Sequence, residues 1–201
     1  MATSQNGWTV IPDYSSPRLK RLGGFAGSVL DVVHPIFEYL ISEFVRRVEP
    51  IAEVRDDWAY TPRKIAGTNI ISNHASGTAI DLNAEDHPQF HTGTFTAAQV
   101  RQIRAILAEL DNVVQWGGDW AKSGRADEMH FEIRRSASEE KVRAVAARMA
   151  TGKGRTIAVR AGEGWWQTAQ RAGVSMAELL AANGATVRTE LHPGDVLQVG
   201  V

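Results

Sequence analysis

From Val29 to Val48, Leu30, Val33, Phe37, Leu40, Phe44 and Val48 recur at three- and four-residue steps, the period of an amphipathic helix. Pro35 interrupts this stripe and either starts a second helix or kinks the first, and Pro50 closes it. A polar, turn-rich stretch runs to Ser72, and "TAIDLN" then alternates as a short strand, with Ile80 and Leu82 on one face and Ala79, Asp81 and Asn83 on the other. Thr96 to Leu110 predicts a helix opened by a capping box of Thr96 and Gln99, with Val100, Ile103, Leu107 and Leu110 buried. "NVVQW" and "MHFEI" predict strands. Ser136 to Met149 predicts a helix, with Glu139 at the box position and Val142, Val145 and Met149 facing inward.

The pattern then restarts. "TGKGR" is short, polar and glycine-bearing, as linkers are. Beyond it "RTIAVR" predicts a strand, Trp165 to Ala172 and Ser175 to Asn183 two helices, and "DVLQVG" a strand. The expected organisation is α+β: residues 1–150 as an antiparallel-sheet domain with flanking helices, 151–154 as linker, and 155–201 as a small βααβ domain. A length of 201 residues accommodates one medium and one small domain.

Composition narrows the chemistry. A formal net charge of −1 gives no basic excess for nucleic acid or an anionic membrane surface. No apolar run approaches the roughly 18 residues of a membrane span. The first residues, "MATSQNGWTVIPDY", lack a basic region followed by an apolar one, so no secretory signal is expected. The absence of cysteine removes disulfides, thiolate metal sites and a cysteine nucleophile, leaving any metal to His, Asp or Glu.

Of the six histidines, two lie beside carboxylates in polar contexts. His74 precedes Asp81 in "NHASGTAIDLN", and His130 stands in "ADEMHFEI" with Asp127 before it and Glu132 after. Two imidazoles and a carboxylate are the three protein ligands of a catalytic zinc site, and Asp127 has the chemistry of a general base. Gly77 and its small neighbours would let backbone approach the site closely. Asp81 falls within an apolar strand, where an unpaired carboxylate is costly. Glu128 is the rival base, and Glu132 either supports the ligands or is solvated. His87 and His91 are spaced as helical ligands would be, but Pro88 pushes His87 out of the helical region, and "EDHPQFHTG" reads as a loop near the site. His34, on an apolar helix, reads as structural. "WGGDW", Trp116 to Trp120, either lines the cleft or makes a tight turn.

"SNHASGTAIDLN" followed by "DEMHFE" resembles the zinc-dependent D-Ala-D-Ala carboxypeptidase and L-Ala-D-Glu peptidase family, VanY-type enzymes and many phage endolysins among them. Ser72, His74, Gly77, Ala79 and Asp81 match the fixed positions of its first motif, and Asp127 and His130 match its second. The resemblance implies zinc on His74, Asp81 and His130, Asp127 as catalytic base, and an upstream arginine stabilising the oxyanion. Arg63 is the candidate for that arginine and Arg55 its rival.

Residues 155–200 resemble a LysM domain through "VRAGEGWWQTAQRAGVSMAELLAANG" and "LHPGDVLQV"; Trp165–Trp166 and the "ATVRTE" stretch depart from the usual pattern. That resemblance implies binding of N-acetylglucosamine-containing glycan through Gly162, Glu163, Gly164, Trp165, Asn183 and His192. Together the two resemblances imply a monomeric peptidoglycan peptidase of the phage endolysin type, held in the host bacterial cytoplasm until release to the cell wall. A bacterial wall-remodelling carboxypeptidase, or a non-catalytic wall-binding protein with a structural metal site, are the alternatives.

Overall fold

The computed structural model describes residues 2–23, 25, 27–51, 57–151 and 155–199. Arg55 and the predicted linker residues 152–154 lie outside them. The chain divides into two compact units, Met1–Ala146 and Ala147–Val201, the division falling inside one helix. The architecture is α+β, with small antiparallel sheets in both units.

The first unit opens with a two-stranded ribbon, β1 (Leu19–Arg21) and β2 (Ser28–Leu30). Helix α1 (His34–Arg47) follows a 3-10 turn at Asp31–Val33. The predicted helical stripe therefore begins too early: Leu30 is the last strand residue, and Pro35 sits in the first turn of α1. That is where a missing N–H costs nothing and the fixed φ suits the helix.

The central sheet has the order β3–β5–β4, built from β3 (Ala79–Asp81), β5 (His130–Ile133) and β4 (Val114–Trp116). It places Asp81 directly opposite His130. Between β3 and β4 runs α2 (Ala97–Glu109), capped by the reciprocal Thr96–Gln99 box. Phe44 of α1 meets Phe131 of β5 edge-on at 6.0 Å, and Ile103 and Leu107 of α2 are buried. Burial of each such side chain stabilises by about 1.5–3 kcal/mol, so these contacts hold the helices over the sheet that carries His130. Helix α3 (Glu139–Ala150) begins later than expected. Its cap is Ser138, whose hydroxyl accepts from the Lys141 amide.

The second unit pairs β6 (Arg155–Ala158) with β7 (Val196–Val199) around α4 (Trp165–Ala172) and α5 (Met176–Ala182). Ser175 and Glu178 make the capping box of α5. Val159, Trp165, Ala169, Leu179, Leu197 and Val199 form its own core. Among the described residues no helix is long and apolar enough to cross a membrane.

Candidate metal centre

His74 arrives on a 3-10 turn, Asn73–Ser76, that Ser72 caps through its side chain and Gly77 ends in the left-handed region at φ 66°. A Cβ on Gly77 would lie 2.6 Å from the Leu30 amide, which donates to the Gly77 carbonyl. The glycine thus lets the ligand turn abut β2; the close approach expected at the metal is instead made to the neighbouring strand. Asp81 ends β3 and exchanges two backbone hydrogen bonds with Trp58, at 2.8 and 3.0 Å. His130 starts β5. All three ligand candidates are buried, and an atom from each lies within 4.8 Å of the other two.

The neighbours decide which way the rings face. Nδ1 of His74 donates to the Ala59 carbonyl at 2.7 Å, which turns Nε2 towards Asp81 Oδ2, 3.2 Å away, and towards His130 Nδ1 at 3.3 Å. Nε2 of His130 donates to Glu132 at 3.0 Å, which turns its Nδ1 towards Asp81 Oδ1 at 2.7 Å. Neither Ala59 O nor ionised Glu132 can donate, so both outer ring nitrogens carry the hydrogen. Two imidazole lone pairs and a carboxylate then converge on one point, and only a proton or a cation between them removes the repulsion. This donor set, with outer hydrogen bonds fixing each tautomer, fits zinc.

Charges behave accordingly. Burial pushes the Asp81 carboxyl up, but the attraction of His74 and His130 outweighs it and holds Asp81 well below the usual carboxylate range. Burial likewise disfavours the His130 imidazolium, yet Asp81 and Glu132 outweigh it and push His130 up to about 10. The carboxylates that raise a proton's affinity for this point raise a metal ion's as well.

The acid turn precedes β5, with the His130 amide donating to the Asp127 carbonyl at 3.1 Å. Its two carboxylates differ. Glu128 accepts from the amides of Gly93 and Thr94 at 2.8 and 2.9 Å, and from the Thr94 hydroxyl. Burial raises its carboxyl, and those hydrogen bonds more than reverse the effect. Asp127 Oδ2 accepts from Gln89 at 2.9 Å, while the buried Oδ1 has no partner among the described residues. Burial raises the Asp127 carboxyl above its ordinary value. A more basic carboxyl with one unpartnered oxygen, within the electrostatic reach of His130, Asp81 and His74, is what a general base requires.

"WGGDW" shapes this turn. Trp116 is buried and donates to the Glu128 carbonyl at 2.6 Å. A Cβ on Gly117 would fall 2.3 Å from the Asp127 carbonyl oxygen, and one on Gly118 would fall 2.3 Å from the Trp116 ring. Trp120 lies against the His130 ring, with centroids 5.5 Å apart. The segment therefore makes a tight turn and also borders the site.

The remaining candidates separate. Glu132 is buried and accepts from Asn73 and Gln115, each at 2.5 Å, besides His130. His87 is spent on Glu49 and Thr94, both at 2.7 Å, and stacks on Phe95. His34 bonds the Arg21 carbonyl. His91 is exposed. Arg63 is exposed too, and among the described residues its side chain has no partner; its carbonyl accepts from Ser72, at the entry to the His74 turn. Nothing in the sequence announced Ala59 or Gln89. Glu132 was weighed because it alternates with His130 on a strand.

In the second unit, several residues expected at a glycan surface are engaged internally. Glu163 accepts from Arg171 at 2.6–2.7 Å, which pulls its carboxyl down to about 2. Trp165 is buried, and its indole donates to the Thr189 carbonyl at 2.7 Å. Asn183 donates to Leu179 and Gln198 carbonyls and accepts from the Gln198 amide. Gly162, with φ 80°, supplies a left-handed turn that other residues rarely adopt. Exposed side chains in this unit include His192 and Trp166. Trp166, the exposed member of the tryptophan doublet, is not among the residues that the resemblance placed at the glycan.

Residues 66–133, which include His74, Asp81, Asp127 and His130, match the family model described as D-alanyl-D-alanine carboxypeptidase. Residues 157–200 match that of the LysM domain. No curated protein and no solved structure matches the chain. Residues 66–133 are thus similar to the D-alanyl-D-alanine carboxypeptidase family, and residues 157–200 form a LysM domain.

Proposed function

We propose that the chain is a zinc peptidase that cleaves the stem peptides of peptidoglycan and is held on the wall by its LysM domain. The observation that carries this reading is the convergence of His74 Nε2, His130 Nδ1 and the Asp81 carboxylate, together with an Asp127 carboxyl that feels the charges of all three and whose Oδ1 has no partner among the described residues. When bound there, zinc would polarise the scissile carbonyl and acidify a water. Asp127 takes a proton from the attacking water through Oδ1 and delivers it to the leaving amine. Glu132 and the Ala59 carbonyl hold the two imidazoles in the required tautomers. Arg63, whose side chain has no partner among the described residues and whose carbonyl accepts from Ser72 at the entry to the His74 turn, stabilises the developing oxyanion. Three candidate protein ligands among the described residues favour a catalytic site over a structural one, which would be closed by four.

The LysM domain supplies glycan binding, which raises the local concentration of stem peptide around the peptidase. A wall-cutting domain joined to a wall-binding one suits a monomeric phage endolysin that waits in the host cytoplasm. The test is zinc content together with turnover of purified cell walls, with and without a chelator. One zinc per chain and lysis abolished by chelation and restored by zinc are expected. Chelator-insensitive lysis would overturn the zinc mechanism, and a zinc-loaded protein that binds walls without cutting them would leave a binding protein. Mass spectrometry of the released muropeptides identifies the bond.

A further inference from the structure

The loop from His87 to Phe95 is hydrogen-bonded to three successive residues of the acid turn. The Phe90 amide donates to the Ala126 carbonyl at 2.8 Å, Gln89 donates to Asp127 Oδ2 at 2.9 Å, and the Gly93 and Thr94 amides donate to Glu128. His87 anchors the loop through Glu49, Thr94 and the face of Phe95. Phe90 has a φ of 69°, which costs a bulky residue energy. Its ring is 69% exposed, so burial of the ring does not offset that cost. What accompanies the conformation is the backbone bond to Ala126, next to the amide that reaches Asp127.

From this arrangement we infer that Gln89 is a positioning residue for the base: its amide ties down Oδ2 of Asp127, fixes the carboxyl rotamer, and leaves Oδ1 as the one oxygen free to take a proton. The inference rests on the reading of Asp127 as base. An untethered carboxylate could rotate and present either oxygen at a range of angles, and misplacement by about 1 Å costs a reaction roughly a hundredfold. Gln89 is itself exposed, so replacing it leaves the core intact.

The experiment compares Gln89→Ala, Gln89→Glu, Asp127→Ala and the Gln89→Ala/Asp127→Ala double variant in the zinc-loaded full chain. Gln89→Ala should lower kcat about 10- to 100-fold with KM nearly unchanged. Gln89→Glu keeps the shape but loses the donor, and should fall at least as far. In the Asp127→Ala background the Gln89 change should have no further effect, because the two act as a unit. Zinc affinity, measured by chelator competition, should match wild type in both single Gln89 variants. The carboxyl 13C resonance of Asp127 should move on Gln89→Ala in metal-free protein. Wild-type kcat in Gln89→Ala beside an inactive Asp127→Ala would overturn this inference and leave the base intact. Full activity in Asp127→Ala would overturn the reading beneath it. Weakened zinc binding, an active Gln89→Glu, or an equal loss in both backgrounds would make Gln89 merely structural.

Discussion

The central sheet of the first unit and the sheet of the second use polar side chains in opposite ways. Around β3 and β5, outer partners such as Ala59 O and Glu132 hold the imidazoles so that hydrogen-bonding capacity is left over and points inward. At Asn183 and Glu163 of the LysM unit the capacity is consumed. Asn183 ties α5 to β7 with three hydrogen bonds, and Glu163 is closed by Arg171, Thr168 and the Arg160 amide. Polar residues in both regions stand at motif positions, so motif membership does not separate ligand from strut. The capacity left open by the neighbours does.

Asp127 and Glu128 pose that contrast within one turn and give its sharpest test. Asp127→Asn should lower kcat by about 10²–10⁴-fold while zinc stoichiometry and melting temperature hold. Glu128→Gln should instead put an amide group against the loop amides and cost about 1–3 kcal/mol of stability by denaturant unfolding. Its kcat, measured on the folded fraction, should stay within several-fold of wild type. If the two phenotypes were exchanged, Glu128 would be the base and the rule of open capacity would fail. Glu132→Gln has the next largest effect: the His130 tautomer loses its carboxylate acceptor, and zinc affinity measured by chelator competition should fall about 10- to 100-fold.

The candidate site was legible in the sequence for a physical reason. His74, Asp81, Asp127 and His130 are titratable groups set among small or apolar residues, where a lone charge is costly. Two of them, Asp81 and His130, stand in short runs that read as strands and pair in one sheet. What stayed hidden is mostly backbone or long-range. Ala59 acts through its carbonyl, which leaves no trace in residue type, and Gln89 lies 38 positions from the carboxylate it holds. Gly77 shows the converse: its importance was visible, but its partner, the Leu30 amide, was not. Likewise Pro35 announced a break in the pattern at Val29 to Val48 without saying that a strand preceded it. Tertiary pairing of β1 with β2, not local periodicity, made that choice.

Trp165 and Trp166 carry the comparison into the LysM unit, with smaller effects. Both tryptophans sit in the first turn of α4, and periodicity does not tell which one turns inward. Trp165 is 8% exposed and bonded to Thr189, so Trp165→Ala should destabilise the unit by about 3–5 kcal/mol and lower its melting transition. Trp166 is 60% exposed, and Trp166→Ala should change stability by no more than about 0.5 kcal/mol. If the exposed indole packs on a sugar face, Trp166→Ala should weaken pull-down on insoluble peptidoglycan roughly fivefold, equivalent to ~1 kcal/mol. Turnover of a soluble muropeptide should not change, because the LysM domain acts by local concentration rather than at the bond. A Trp166→Ala protein that binds walls as tightly as wild type would assign glycan recognition to the 162–164 backbone and the loop around His192, and the open indole would be surface without a role.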